Sequence, residues 1–403
     1  MAKCIFFNLP GASGHINPTV GLVSELIAKG EQVIYYAGED TRAKFEKLGA
    51  EYRTYDQWFT YHHTAATASD ILTMAKTEID LMLDALVPML EQIKKDAPDY
   101  IVYDSCCVWG KYLAESLKIP GITIITTLVS SHWLMLSDWR LASHVLFSVL
   151  IPGASLIVWA RRVAKDLFEQ IGVQWRGIFY HIFDFFACVG DLNIVFNTRQ
   201  YQPFADRIPG NFHYVGASIP EGRDSSDMDF SRYEGKKLIY VSLGTIHNMD
   251  VGFYKTVMQG LGETADLEVI MSVGKNTRLE DLGSIPSNFT VRNFVPQLEV
   301  LKRADVFITH GGMNSLNEGL YYGVPVIVVP QQVEQAFNAR RLAKLGVATP
   351  LPTSDINPAS IRRVVRDILD NPDYRRNAKQ YGETLRQAGG YKAAAEKILA
   401  FVR

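Results

Sequence analysis

Cysteine is scarce in this chain, with four in 403 residues: Cys4, Cys106, Cys107 and Cys188. Two are adjacent and cannot form an ordinary bridge, and no metal-ligand spacing is present, so no disulfide framework, zinc module or bound metal is expected. A reducing cytoplasm fits that usage. An excess of one charge is also missing. Lys and Arg number 41 against 43 Asp and Glu, for a net charge of −2, which leaves no electrostatic footprint for a nucleic-acid partner. The opening Met1-Ala2-Lys3-Cys4-Ile5-Phe6-Phe7 lacks a signal-length apolar region and reads as a first strand. Leu141 to Ala160 contains no Asp, Glu, Lys or Arg and precedes Arg161-Arg162, a length that could span a bilayer. Ser143, His144, Ser148, Pro152-Gly153 and Ser155 interrupt it, so it reads as the wall of an apolar pocket, with a membrane-surface contact as the alternative and no stable span expected.

What is present is a repeated alternation of strand and helix. At 403 residues the chain exceeds one ordinary core, and two domains of about 200 residues are the default. Lys3 to Leu9 reads as a strand, Pro10 to His15 as a glycine-rich loop, and Asn17-Pro18 as the cap and first residue of a helix. Val20, Val23, Leu26 and Ile27 form its core face. Strands at Gln32 to Ala37, Tyr52 to Tyr55, Tyr100 to Tyr103 and Ile122 to Thr126 come next, with a helix from Thr41 to Leu48. Strands separated by helices run parallel, which gives a Rossmann-like winding. His15 then lies at the carboxyl end of the first strand, where such sheets bind ligands, and Asp104 emerges at the same edge. An imidazole there can take a proton near neutral pH, and a carboxylate on one ring nitrogen would fix its tautomer. A histidine in that place can equally cap the helix or bond the backbone.

After Thr126 the alternation lapses. Residues 128 to 186 hold Trp133, Trp139, Trp159, Trp175, Phe179, Tyr180, Phe183, Phe185 and Phe186, with His132, His144 and His181 among them. Several must be core, but so many in one insertion point to a greasy cavity over the catalytic loop. Trp58, Phe59, Tyr61, His62 and His63 form another wall, and Trp58, Phe59, His62, Trp133, Phe179 and Phe183 are the candidate substrate-binding residues. His62-His63 has no neighbouring carboxylate or thiol to make a metal site. Asp191 to Phe196 and Phe212 to Val215 return to strand pattern. The expected division is an amino-terminal domain at 1–218, a linker at 219–235, a second Rossmann-like domain at 236–385, and a terminal helix at 386–403. The polar, turn-rich stretch Pro220 to Asp229 marks the linker, and its Asp227-Met228-Asp229 reads as solvated charge rather than a metal motif.

The second domain carries the densest signal. Lys237 to Val241 is a strand followed by Ser242-Leu243-Gly244-Thr245, small donors at a carboxyl end. Asp305 to Thr309 is a second buried strand, with His310-Gly311-Gly312 immediately after it and a helix that Asn314 or Ser315 can cap; Gly323-Val324-Pro325 stops it. A strand, glycine turn and helix present free N–H groups and a positive dipole end, where phosphate is the natural occupant. His310, Asn314 and Ser315 can donate to a diphosphate, while Glu318, one turn on, suits ribose hydroxyls. Each residue alone would be an ordinary turn, cap or stop.

Together, Phe294-Val295-Pro296-Gln297, His310-Gly311-Gly312-Met313-Asn314-Ser315, Glu318, Gly323-Val324-Pro325 and Glu334-Gln335 resemble the nucleotide-sugar signature of family 1 UDP-glycosyltransferases. Within that family the chain is most similar to the bacterial macrolide and natural-product branch. The resemblance implies the GT-B architecture, two Rossmann-like domains facing across a cleft, with a UDP-sugar as donor substrate and no separate cofactor. It implies uracil stacking near Phe294, backbone pairing at Val295 beside Gln297, phosphate contacts from His310, Asn314 and Ser315 next to Gly312, ribose at Glu318, and sugar hydroxyls at Glu334 and Gln335. Ser242, Gly244 and Thr245 match the family's phosphate-side turn. Gly14-His15-Ile16-Asn17-Pro18 resembles the segment that carries its catalytic histidine, with Asp104 as helper. Phe294 stands where many plant members have Trp and Glu334 where many have Asp, departures that bear on base affinity and donor-sugar choice. The implied reaction is inverting, metal-independent transfer of a hexose, glucose being expected, to a hydroxyl of a macrolide, flavonoid or other hydrophobic acceptor. A nucleotide-sugar epimerase or a non-catalytic UDP-sugar binder would share the fold; the first would convert UDP-sugars without acceptor, the second would bind UDP and transfer nothing.

Overall fold

The computed structural model describes residues 1–58, 71–131, 134, 137–144, 147, 165–177, 188–220, 222–223, 228–244 and 251–403. Two compact units emerge, Met1–Ser218 with Ala388–Arg403, and Ile219–Gln387. The first is built on seven parallel strands: β1 (Lys3–Phe7), β2 (Gln32–Tyr36), β3 (Glu51–Arg53), β4 (Tyr100–Asp104), β5 (Gly121–Ile125), β6 (Leu192–Val195) and β7 (Phe212–Tyr214), in the order β3-β2-β1-β4-β5-β6-β7. Residues of β1 alternate between two cores. Cys4 and Phe6 face one, Ile5 and Phe7 the other, all fully buried. A strand covered on both faces needs apolar residues throughout, and KCIFF supplies them after Lys3.

Helix α1 (Ser13–Ala28) comes directly after β1 and begins four residues before Asn17. The expected cap at Asn17 is therefore wrong: Ala12 occupies the cap, Asn17 lies inside the helix, and His15 is its third residue rather than part of a loop. Pro18 deletes only the bond its N–H would make to the Gly14 carbonyl. Buried side chains secure the same turn. Thr19 donates to the Ile16 carbonyl at 2.8 Å and meets the Tyr35 hydroxyl at 2.8 Å, while Asn8 Nδ2 reaches Tyr35 at 2.8 Å and the His15 carbonyl at 3.3 Å. Burial holds the Tyr35 phenol well above its ordinary pKa, so it stays neutral and keeps both hydrogen-bonding roles. Helix α2 (Ile71–Asp96) lays Met82, Leu86, Met89 and Ile93, spaced by three and four residues, against the same core as Val108, Trp109 and Tyr112 of α3 (Val108–Leu117).

The second unit repeats the plan with β8 (Lys237–Ser242), β9 (Leu267–Ser272), β10 (Phe289–Arg292), β11 (Val306–Thr309), β12 (Val326–Val328) and β13 (Ala348–Pro350), all parallel in the order β10-β9-β8-β11-β12-β13. Its helices include α4 (Val251–Leu261), α5 (Met313–Tyr321), α6 (Val333–Lys344), α7 (Pro358–Asp370) and α8 (Pro372–Gln387). Gly389 and Gly390 then turn the chain with φ of +89° and +57°, and α9 (Gly390–Val402) packs on the first unit. Ala394, Ala395, Ile398 and Leu399 join the core that holds Val20 and Val23. The two helices approach closely at Gly21, where a Cβ would meet Tyr391 Cγ at 2.7 Å.

Candidate active site

In each sheet the strand order reverses once. In the first, β1 lies between β2 and β4, so the chain extends leftward through β2 and β3 and rightward from β4. Loops leaving β1 and β4 diverge there, which makes a crevice at the carboxyl edge. Phe7 of β1 is paired with Tyr103 of β4, and each strand delivers a candidate functional residue just beyond that pair. Asp104 ends β4, wholly buried, and its two oxygens lie 3.0 and 2.9 Å from His15 Nδ1 in the first turn of α1. The His15 side chain is 23% exposed. Three further contacts hold the pair: the Cys106 N–H donates to Asp104 Oδ1 at 2.8 Å across an i to i+2 turn, Thr126 Oγ1 sits 3.2 Å from His15 Nδ1, and Asn8 tethers the His15 backbone.

This arrangement fixes more than position. A buried carboxylate on Nδ1 favours the tautomer with hydrogen on Nδ1 and the lone pair on Nε2, and it stabilises the imidazolium formed when Nε2 takes a proton. The Cys106 N–H also donates to Oδ1, which helps to hold the carboxylate in place. The thiol of Cys106 also comes within reach: one ligand atom from each of His15, Asp104 and Cys106 lies within 4.8 Å of the others.

The second sheet reverses between β8 and β11, and Ser242 is paired there with Thr309. Ser242-Leu243-Gly244 and His310-Gly311-Gly312 leave these neighbouring strands together. The His310 ring lies between two glycines. A Cβ on Gly312 would meet His310 Nε2 at 2.5 Å, and one on Gly244, whose φ is +80°, would meet Cε1 at 2.6 Å. Both positions therefore need glycine to admit the imidazole. Helix α5 is capped by Gly312 and has no side-chain cap, so the expectation that Asn314 or Ser315 caps it is corrected. Both lie in its first turn instead, partly buried.

Glu318 forms the second cluster. It is 1% exposed and its Oε1 accepts from Asn314 Nδ2 and from Arg223, each at 2.7 Å, while Oε2 accepts from Gln297 Nε2 at 2.6 Å. Tyr240 in turn donates to Gln297 Oε1 at 3.0 Å. The Arg223 side chain is only 5% exposed, so this part of the stretch read as a solvated linker is instead buried against the site. A buried carboxylate requires such partners, and Arg223 supplies the compensating charge. Three donors fill three of the carboxylate's roughly four lone-pair positions.

Other predicted residues divide. Phe294 is 78% exposed beside buried Val295, an aromatic face open for stacking. Glu334 is exposed in the first turn of α6. Gln335 is buried, and its Oε1 accepts from the Gln331 and Gln332 N–H groups at 2.7 and 3.1 Å within a capping box. Its amide thus serves the helix start, a role that the Gln332-x-x-Gln335 spacing could have signalled. Trp58 stacks on Tyr36 with centroids 5.5 Å apart and packs against the first core. Thr245, Phe59, His62, Trp133, Phe179 and Phe183 lie outside the described residues, as do Asp227 and most of 141–160. Among the described residues, no helix is long and apolar enough to cross a membrane.

Two Rossmann-like sheets, each with candidate site residues at its switch point, are the architecture of the GT-B glycosyltransferases. The glycotransferase of kitacinnamycin has a similar structure, with a TM-score of 0.83 at 27% identity, over 100% of this chain and 99% of that one. Residues 255–388 match the family model for the Erythromycin biosynthesis protein CIII-like C-terminal domain. The uncharacterised UDP-glucosyltransferase YojK of Bacillus subtilis is 31% identical, with 100% of this chain and 98% of that protein covered. Oleandomycin glycosyltransferase of Streptomyces antibioticus is 28% identical over 96% of this chain and 88% of its own. The chain belongs to the bacterial natural-product branch of the family 1 glycosyltransferases.

Proposed function

We propose that the protein transfers a hexose, glucose by preference, from a uridine diphosphate sugar to a hydroxyl of a hydrophobic natural product such as a macrolide or a phenol. The observation that carries this reading is the 2.9 Å contact between His15 Nδ1 and the fully buried Asp104. His15 Nε2 takes the acceptor's hydroxyl proton as oxygen attacks the anomeric carbon, and Asp104 stabilises the resulting imidazolium. Attack from the face opposite the diphosphate inverts that carbon, giving a β-glycoside from an α-linked donor.

The second unit holds the donor in this scheme. Phe294 stacks on uracil, the remaining acceptor position of Glu318 takes a ribose hydroxyl, and Glu334 contacts the sugar. The positive end of α5, with His310 and Ser315, receives the charge that develops on the departing diphosphate without a metal ion. Support comes from Phe294 exposure, the uncapped helix start and the glycine-flanked His310. The test is mass spectrometry of reactions containing UDP-glucose, a panel of macrolide and phenolic acceptors, and EDTA. A hexose-sized gain that disappears in His15→Ala is the expected result. Normal turnover in that variant would end the base assignment, and UDP binding without any transfer would favour a binding-only role.

A further inference from the structure

The transfer scheme gives the Cys106 side chain no part, yet its thiol stands beside the His15–Asp104 pair. Residues 15, 104 and 106 offer an imidazole, a carboxylate and a thiol whose ligand atoms all lie within 4.8 Å of one another, with none of the three wholly exposed. Nitrogen, oxygen and sulfur donors in one triad suit a borderline-soft divalent ion, zinc above all, and not magnesium or calcium. Zinc bonds of about 2.0–2.1 Å to nitrogen and oxygen and about 2.3 Å to sulfur place tetrahedral ligands roughly 3.3–3.6 Å apart. The Nδ1–Oδ2 separation is 2.9 Å, so that pair opens by a few tenths of an ångström to take an ion, and the sulfur, within 4.8 Å of both, closes on it by a side-chain rotation. The partly exposed side of His15 leaves the fourth position to water.

We propose that His15, Asp104 and Cys106 form an inhibitory site for zinc or a similar thiophilic divalent ion. The ion takes the place of the hydrogen that Nδ1 shares with Asp104. Bonds form from the ion to Nδ1, to a carboxylate oxygen and to the Cys106 sulfur, and the thiol S–H breaks with its proton released to solvent. The hydrogen displaced from Nδ1 moves by way of solvent to Nε2, so the imidazole stays neutral and one proton is released per ion. Nε2 then carries hydrogen and cannot accept one from a substrate. Inhibition rests on the reading of His15 as the base; the existence of the site does not.

Metal-freed, full-length protein titrated with Co²⁺ tests both parts. The expected result is one equivalent bound with a sulfur-to-cobalt charge-transfer band in the near ultraviolet, displaced by Zn²⁺. In Cys106→Ser and Cys106→Ala, which keep the backbone N–H to Asp104, the band is lost and affinity falls at least about tenfold. Equimolar Zn²⁺ lowers wild-type turnover by at least about tenfold, EDTA restores it, and the Cys106 variants remain active at the same zinc concentration. A band unchanged in both variants, or no binding, overturns the site. A Cys106-dependent band with undiminished turnover keeps the site and overturns the inhibition, placing the failure with His15 as base.

Discussion

Replacing Asp104 by Asn leaves the shape of the site and reverses its hydrogen-bond logic. The Cys106 N–H, 2.8 Å from Oδ1, can only donate, so it selects the new amide's oxygen. That choice turns the amide nitrogen toward His15 Nδ1, where the carboxylate oxygens now lie at 2.9 and 3.0 Å. An N–H facing Nδ1 demands a lone pair there, and the neutral ring responds by carrying its hydrogen on Nε2. The proposed base is then occupied in its resting state, and no carboxylate remains to stabilise the imidazolium. General-base work contributes about 10²–10⁴-fold, equivalent to about 3–5 kcal/mol of barrier, so kcat of Asp104→Asn should fall by that factor. Folding should suffer less, because only the excess of a charged over a neutral hydrogen bond, about 1–1.5 kcal/mol, is lost while the Cys106 contact remains. UDP release under saturating donor and acceptor measures kcat, and calorimetry measures UDP affinity, which should change by less than about threefold. A variant that turns over within about fivefold of wild type would refute the tautomer argument.

Arg223 and Glu318, 5% and 1% exposed, form a buried ion pair, and Arg223→Met should destabilise the protein by about 3–5 kcal/mol by stranding the carboxylate. Adding Glu318→Gln should recover a large part of that loss in urea unfolding; simple additivity of the two changes would contradict the coupling. His213 on β7 has a pKa lowered first by burial and then by Lys397 of α9. A lowered basic group resists a proton that the unfolded chain accepts, so this contribution is neutral above the ordinary value near 6.5 and costs stability as pH falls below it toward the lowered value. His213→Gln should flatten the fall in urea midpoint between about pH 7 and 5, and an identical slope in both proteins would discount the residue.

Periodicity makes much of this fold readable. Strand β1 declares itself because both faces are buried and KCIFF is apolar beyond its first residue, and β11 because VFIT runs straight into His310-Gly311-Gly312. The start of α1 is misplaced by sequence reasoning because Pro18 resembles a first helical residue, while the Asn8, Thr19 and Tyr35 contacts that permit it further inside are long-range. Arg223 escapes notice because its neighbours Gly222, Asp224 and Ser225 have linker composition, and only the folded chain carries its guanidinium to Glu318. The placement of Asp104 at the same edge as His15 is legible from strand counting, and the Cys106 amide lies two residues beyond Asp104, the spacing of an Asx-turn; the Thr126 hydroxyl is not legible, since no local pattern encodes a contact made across neighbouring strands. The capping role of Gln335 is available in the sequence and is overshadowed by the family motif.

The return of α9 to the first unit has a consequence for the order of events during synthesis. Because residues 388–403 belong to the same unit as residues 1–218, that unit cannot close before residues 219–387 have been made. The growing chain must hold the α1 surface around Val20 and Val23 without its final cover while all of residues 219–387 emerge and settle. The second unit, whose residues are contiguous, has no such wait. A ribosome stalled before Gly390 would therefore carry one unit that can close and another that stays open to proteases and chaperones.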